Sequence, residues 1–204
     1  MKLFEEQHLR NYLSEKLEAA KREIQFTSES DLKRISKEDL LAKLLKSAEV
    51  ELLTVNLDNR TTKVTMTEVV AERFPRTYHV HPGKKYPCAL VTYMYETPSN
   101  SQLLGCAPSG YNPKFNVDIT FAPKQMSIHY QTLYGNEILS EEIKIEVKNW
   151  IISLHQEIEN TTIEINKEIE KYNKTISKEL ETILDEKYKN VEDRNNQNND
   201  LNDF

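Results

Sequence analysis

Glycine and cysteine are scarce in this 204-residue chain, at four and two residues, and tryptophan occurs once. The phosphate-cradling loops GxxxxGK and GxGxxG do not occur, and Ser109 in APSG does not sit in a GxSxG nucleophile elbow. Hydrolase and nucleotide-transferase chemistry therefore has no anchor, and no cofactor is expected. Cys88 and Cys106 lie in the apolar stretches PCALV and LLGCAP. A chain of this size needs no disulfide to fold, so both read as buried thiols. No apolar run approaches the ~18 residues needed to span a bilayer. The opening MKLFEEQHLRNYL lacks the uninterrupted apolar stretch of a secretory signal. The expected location is the cytoplasm, with no membrane partner.

Charge is what the chain has in quantity. Charged residues make up 29% against 38% hydrophobic, and the net charge is −6. That balance points to solvent-washed helices, and away from a chain whose main business is coating nucleic acid. The distribution is uneven. Between Arg73 and Val117 five cations face a single acid, Glu96, giving +4 and leaving −10 for the remainder. The same stretch holds six of the seven prolines, three of the four glycines and both cysteines, which makes it the main internal boundary.

Hydrophobic spacing predicts an α+β fold: two helices, a small antiparallel β-sheet, and long amphipathic C-terminal helices. Leu3, Phe4, Leu9, Leu13, Leu17, Ala20 and Ile24 suit a helix over residues 1–25. Ser36 with Asp39 resembles a capping box opening a second helix, so that residues 1–48 form the N-terminal helical region. Over 50–135 the period falls to two. LLTVNL and TTKVTMTEVV, separated by Asp58-Asn59, read as a hairpin. Strands at Ala89–Tyr95, FNVDITF and MSIHYQTLY follow, most simply as a meander. After Gly135 there is neither glycine nor proline. Apolar residues then recur at helical spacing over 140–190, beginning at Ser140. The polar run 191–204 has no periodicity and reads as disordered.

An apolar stripe of this length needs a partner, from its own chain or another. Ile151, Leu154, Ile158, Ile165, Ile169, Tyr172, Ile176 and Leu180 are thus candidate interface residues, with a homodimer or a partner protein as the expected occupant. Within the basic stretch, Arg73, Arg76, Tyr78, His79, His81, Lys84 and Lys85 form a candidate anion or nucleic-acid site, through charge and stacking. Tyr86 and Tyr111 extend the aromatic set. The bland alternative is a solvated loop pair.

His79 and His81 would face the same way on a strand, as two metal ligands require, but no further ligands stand at a supporting spacing, and no metal site is expected. Asp118 with Glu142 and Lys144 has the letter order of a PD-(D/E)xK nuclease, yet the residues after Glu142 continue at helical spacing. Trp150, among apolar helix residues, reads as core or interface.

From Ala89 onward the order of features resembles a group of poorly characterised bacterial proteins. The matching features are ALVTYMYE, the loop LLGCAPSGYNP, two alternating strands, and the helical run EIKIEVKNWIISLHQEIENTTIEINKEIEKYNKTISKELETILDEKYK with its Tyr172-Asn173. The resemblance covers about half the chain. In that group the region often precedes a separate restriction-endonuclease-like domain. It therefore implies a non-catalytic module of a multicomponent system acting in defence against foreign DNA. Where the group has a proline near the start of its second C-terminal helix, this chain has Thr175-Ile176-Ser177.

Overall fold

The computed structural model describes residues 1–202. In chain order the elements are β1 (Gln7–His8), α1 (Leu9–Phe26), α2 (Glu29–Arg34), α3 (Lys37–Ala48), β2 (Thr61–Val70), β3 (Lys85–Glu96), β4 (Cys106–Ala107), β5 (Ile119–Ala122), β6 (Gln125–Gln131) and α4 (Glu141–Asn202). The fold is α+β, as the periodicities predict: N-terminal helices, a four-stranded antiparallel sheet and one long C-terminal helix. Two compact units divide the chain, Met1–Glu6 with Leu53–Glu164 and Gln7–Leu52 with Ile165–Phe204.

The second unit is helical. Ser36 caps α3 by accepting the Asp39 N–H at 3.1 Å, and its hydroxyl donates to the Asp39 carboxylate at 2.8 Å, so the acid bonds the capping hydroxyl rather than the backbone N–H that a capping box would use. Ser28 caps α2 in the same way through Asp31. Ala20, Ile24, Leu32, Leu40, Leu44 and Ala48 form one apolar core with Ile176, Leu180, Leu184 and Val191 of α4. Polar ties flank it. The Asn173 amide accepts from the Val50 N–H at 3.1 Å and donates to the Val50 carbonyl at 2.8 Å. Tyr172 donates to the Ala48 carbonyl at 3.2 Å, and Lys21 pairs with Glu179 at 2.8 Å.

The burial pattern and length of α4 correct two expectations. Ile151, Leu154, Ile158, Ile165, Ile169, Ile176 and Leu180 are all buried within the single chain, and Tyr172 packs against the helical core. The stripe is thus covered without a second copy and is not an exposed interface. The segment expected to be disordered is helical through Asn202. Val191 continues the apolar register seven residues after Leu184, and Arg194 pairs with Glu29 at 3.0 Å. The last two residues of that segment lie outside the described residues. No proline or glycine interrupts α4, and it runs unbroken past Asn173–Ser177.

The first unit holds the sheet, in the order β2-β3-β6-β5 with every pair antiparallel. It is two hairpins joined through β3 and β6 rather than a meander. The partner of Thr61–Val70 is Lys85–Glu96, and residues 51–57 lie outside any strand. Leu53 and Leu57 are nonetheless buried, so their alternation reflects an inward face and not strand pairing. Asp58-Asn59 does form a turn, with the Asn56 side-chain oxygen accepting both their N–H groups at 3.2 and 3.4 Å. In FNVDITF only Ile119 to Phe121 are in strand.

The first residues are also not helical. Leu3 and Phe4 donate backbone N–H bonds to the carbonyls of Val117 and Leu104, at 2.9 and 2.6 Å, and Glu6 to that of Gly105 at 2.9 Å. Both side chains are buried. A Cβ on Gly105 would meet Met1 Sδ at 3.0 Å and Glu6 Cγ at 3.2 Å, side-chain contacts that a shift of a few tenths of an ångström relieves.

Candidate functional site

One face of the sheet carries, in register, Thr62 opposite Tyr93 and Val64 opposite Val91 on β2 and β3, and Val91 opposite Tyr130 and Tyr93 opposite Ile128 on β3 and β6. The first half of α4 covers β6 and β3. Trp150 packs on Tyr130 with ring centroids 4.7 Å apart and on Phe115 at 6.5 Å, Tyr130 donates to Glu146, and Tyr95 bonds His155. Burial, with the bond to Glu146, pushes the Tyr130 phenol up to about 12. The edge strand β2 is less covered: Val64 is half-buried and Met66 is 39% exposed.

A cavity of about 590 Å³ opens there. Its floor is Thr62, Val64, Val91 and Tyr93, and one wall is Lys144, Val147, Lys148, Ile151 and Ile152 of α4. Those helix positions follow a 0, 3, 4, 7, 8 spacing, a single face of an α-helix. Glu137–Leu139, ahead of α4, forms a second wall, and Arg60 stands at the start of β2. Ser140 caps the helix, accepting the Ile143 N–H at 3.4 Å. The volume lies within the roughly 300–1,000 Å³ usual for small-molecule sites. Two large apolar side chains border it almost in solvent, Ile138 at 80% and Ile152 at 61% exposed.

The polar groups are unevenly signed, with Arg60, Lys144 and Lys148 against Glu137. Lys144 is engaged by Glu141 at 2.7 Å, and that bond holds the Glu141 carboxyl below its usual range. Arg60 donates to the Leu57 carbonyl at 3.3 Å. Its charge is felt by a part-buried polar pair: Tyr95 Oη lies 2.8 Å from His155 Nε2. Burial, then the Arg60 charge, lowers the His155 pKa, with Asp58 acting against them. Burial raises both Tyr93 and Tyr95, which Arg60 partly opposes.

The basic stretch is largely loop. Arg73, Arg76, Tyr78, His79, His81 and Lys84 occupy the long connection between β2 and β3, and Lys85 opens β3. His79 and His81 are in coil, so the same-face geometry of a strand does not arise. Phe74 packs on Tyr78 and Tyr86 with centroids 5.6 Å apart in each case, and Tyr78 is 47% exposed. Acids stand close by: Glu72 accepts the Gly83 N–H at 2.8 Å, a bond that lowers its pKa, and Lys85 pairs with Glu68 at 3.4 Å. Tyr111 packs instead on Phe4, at 5.8 Å, and burial with nearby Glu157 pushes its phenol up to about 12. Lys114 pairs with the buried Glu157 at 3.4 Å.

Glu142 and Lys144 lie on α4 and not on a strand, and Asp118 forms only an isolated bridge with Lys2. Two residues apart on a helix, Glu142 and Lys144 do not face each other. Among the described residues no group of three or more His, Cys, Asp or Glu is placed to hold a metal ion, and no helix is long and apolar enough to cross a membrane. Cys88 and Cys106 are buried and not joined in a disulfide, and burial raises the pKa of Cys88.

Sequence reasoning missed the cavity because its parts are far apart in the chain. The alternation of Val91 and Tyr93 and the helical spacing of Val147 and Ile151 mark two of its walls, whereas nothing in the sequence places Arg60 or Ile138 beside them. Comparison with known protein families, curated proteins and solved structures finds no match to this chain.

Proposed function

We propose that the chain is a non-catalytic binding module whose ligand places an apolar body in the cavity of the β-sheet unit. The observation that carries this reading is the cavity itself together with the uncovered apolar surface at its rim, above all Ile138 and Ile152. Apolar area removed from water contributes roughly 25 cal/mol per Å², so a ligand covering these residues gains from the same effect that closes the core. The lining suits holding rather than turnover: apolar walls, cations, and one acid, Glu137. A multicomponent bacterial system acting against foreign DNA is the setting that the sequence resemblance supports for such a module.

The test is titration with N-phenyl-1-naphthylamine, a neutral dye that brightens in apolar sites. Wild type should enhance its emission saturably. Val64→Trp, which fills the floor from a half-buried edge position, should remove most of the enhancement while the thermal midpoint stays close to wild type. A wild-type chain that leaves the dye dark overturns the reading.

A second reading is supported by the Phe74, Tyr78 and Tyr86 cluster beside Arg76 and Lys84, which offers stacking and charge to a short single strand. Its cations are partly offset by Glu68 and Glu72, which is why the cavity is preferred. Replacing Arg76, Lys84 and Lys85 together with alanine should abolish any salt-sensitive binding of oligonucleotides. A wild-type chain that binds none at low salt removes this reading.

A further inference from the structure

The charge of the cavity narrows what it would hold. In a chain of net charge −6, its lining gathers three cations and one acid. Lys144 is already engaged by Glu141, whereas the hydrogen bond described for Arg60 goes to a neutral carbonyl, that of Leu57. Lys148 follows Lys144 by one helical turn and is exposed on the same wall. Arg60 and Lys148 thus bring positive charge to an apolar hollow floored by Val64, Val91 and Tyr93. Tyr93 is buried there and its pKa is raised by burial, so its phenol is a neutral donor and acceptor that tolerates an anionic neighbour.

Resting on the binding reading above, we propose that the ligand is a free amphipathic anion: an aliphatic chain carrying one carboxylate or phosphate monoester, with its body against the sheet and its head between Arg60 and Lys148. An aliphatic body needs no hydrogen-bond partners and is matched by Val64, Val91, Val147 and Ile151. The head accepts charge-assisted hydrogen bonds from Arg60 and Lys148, about twice as strong as neutral ones; Lys148 otherwise acts through space on Glu141, whose carboxyl it helps Lys144 to hold low. A cationic head would face Arg60 and Lys148 at close range and is disfavoured by like-charge repulsion. A neutral head gains the apolar contacts alone.

The experiment is direct titration of the full chain, below micelle-forming concentrations, with decanoate, decyl phosphate, decanol and decyltrimethylammonium. Decanoate and decyl phosphate should bind about tenfold more tightly than decanol, and the ammonium compound more weakly than decanol. The double variant Arg60→Ala/Lys148→Ala should reduce the anion preference to near unity and leave decanol binding unchanged, a result that simple loss of structure would not give. Equal binding of decanol and decanoate by wild type overturns the anionic head and leaves the cavity reading standing. No binding of any of the four overturns both. Preference for decanoate over decyl phosphate, or the reverse, identifies the head group.

Discussion

The two units solve the same problem differently. In the helical unit, the apolar face of α4 meets α1, α2 and α3, and Leu44, Ile176, Leu180 and Leu184 are almost completely removed from water. In the sheet unit, α4 covers β3 and β6 but leaves the edge strand β2 and the preceding turn open, with Ile138, Ile152 and Met66 in contact with solvent. An apolar surface that closes on its own chain serves stability. One left open is available for recognition, and the comparison predicts where substitutions will cost folding and where they will cost binding.

The largest effect should come from the closed side. Leu180→Ala removes a fully buried side chain and should lower stability by about 2–5 kcal/mol, read from urea unfolding, without altering the molar mass seen by light scattering. A change in mass would mean that this stripe also serves assembly. Asn173→Ala should follow at about 1–3 kcal/mol, because it leaves the Val50 N–H and carbonyl without their side-chain partner. Full stability in that variant would show that water replaces the amide at no cost.

The next effect depends on pH. The His155 pKa is lowered in the folded chain from a usual 6.5, so between the two values the unfolded chain binds more protons. Stability is therefore full above about 6.5 and falls as acid is added, until the folded-state pKa is also passed. His155→Gln should flatten the dependence of the thermal midpoint between pH 7 and 5; an unchanged slope would assign it to other groups. The smallest stability effect should be on the open side. Ile152→Ser should shift stability by less than about 0.5 kcal/mol, yet weaken dye binding several-fold. Equal losses of both would place Ile152 in the core and erase the contrast between the units.

Much of the helical unit was legible in the sequence. Ser36 and Asp39 announce a cap that forms, and the spacing from Ile165 to Leu180 gives the buried face of α4. The reading failed where pattern and partner come apart. Leu53, Val55 and Leu57 alternate like a strand, but alternation reports only which side chains turn inward. The hydrogen bonds of β2 go to β3, across a 14-residue connection that no local pattern specifies. Val191 lies in so polar a run that composition outweighs its register. The interface candidates do need cover, and for Tyr172, Ile176 and Leu180 it comes from α1 to α3, which spacing in one segment cannot reveal. For the cavity, two walls could be read from periodicity, and the cations at its mouth could not.

Each unit is also discontinuous along the chain, and this bears on how it is made. The backbone bonds of Leu3 and Phe4 wait for residues 104 and 117, and the core built on Ala20, Ile24, Leu40 and Leu44 waits for Ile176, Leu180 and Leu184. At roughly 5–20 residues per second, translation leaves the first three helices without their fourth for on the order of ten seconds. During that interval the apolar face of α1 and α3 is open to chaperones or to a neighbouring nascent chain. A ribosome-bound fragment ending before Ile165 should accordingly be protease-sensitive throughout α1–α3, and protection should arrive in one step once the segment carrying Ile176, Leu180, Leu184 and Val191 emerges.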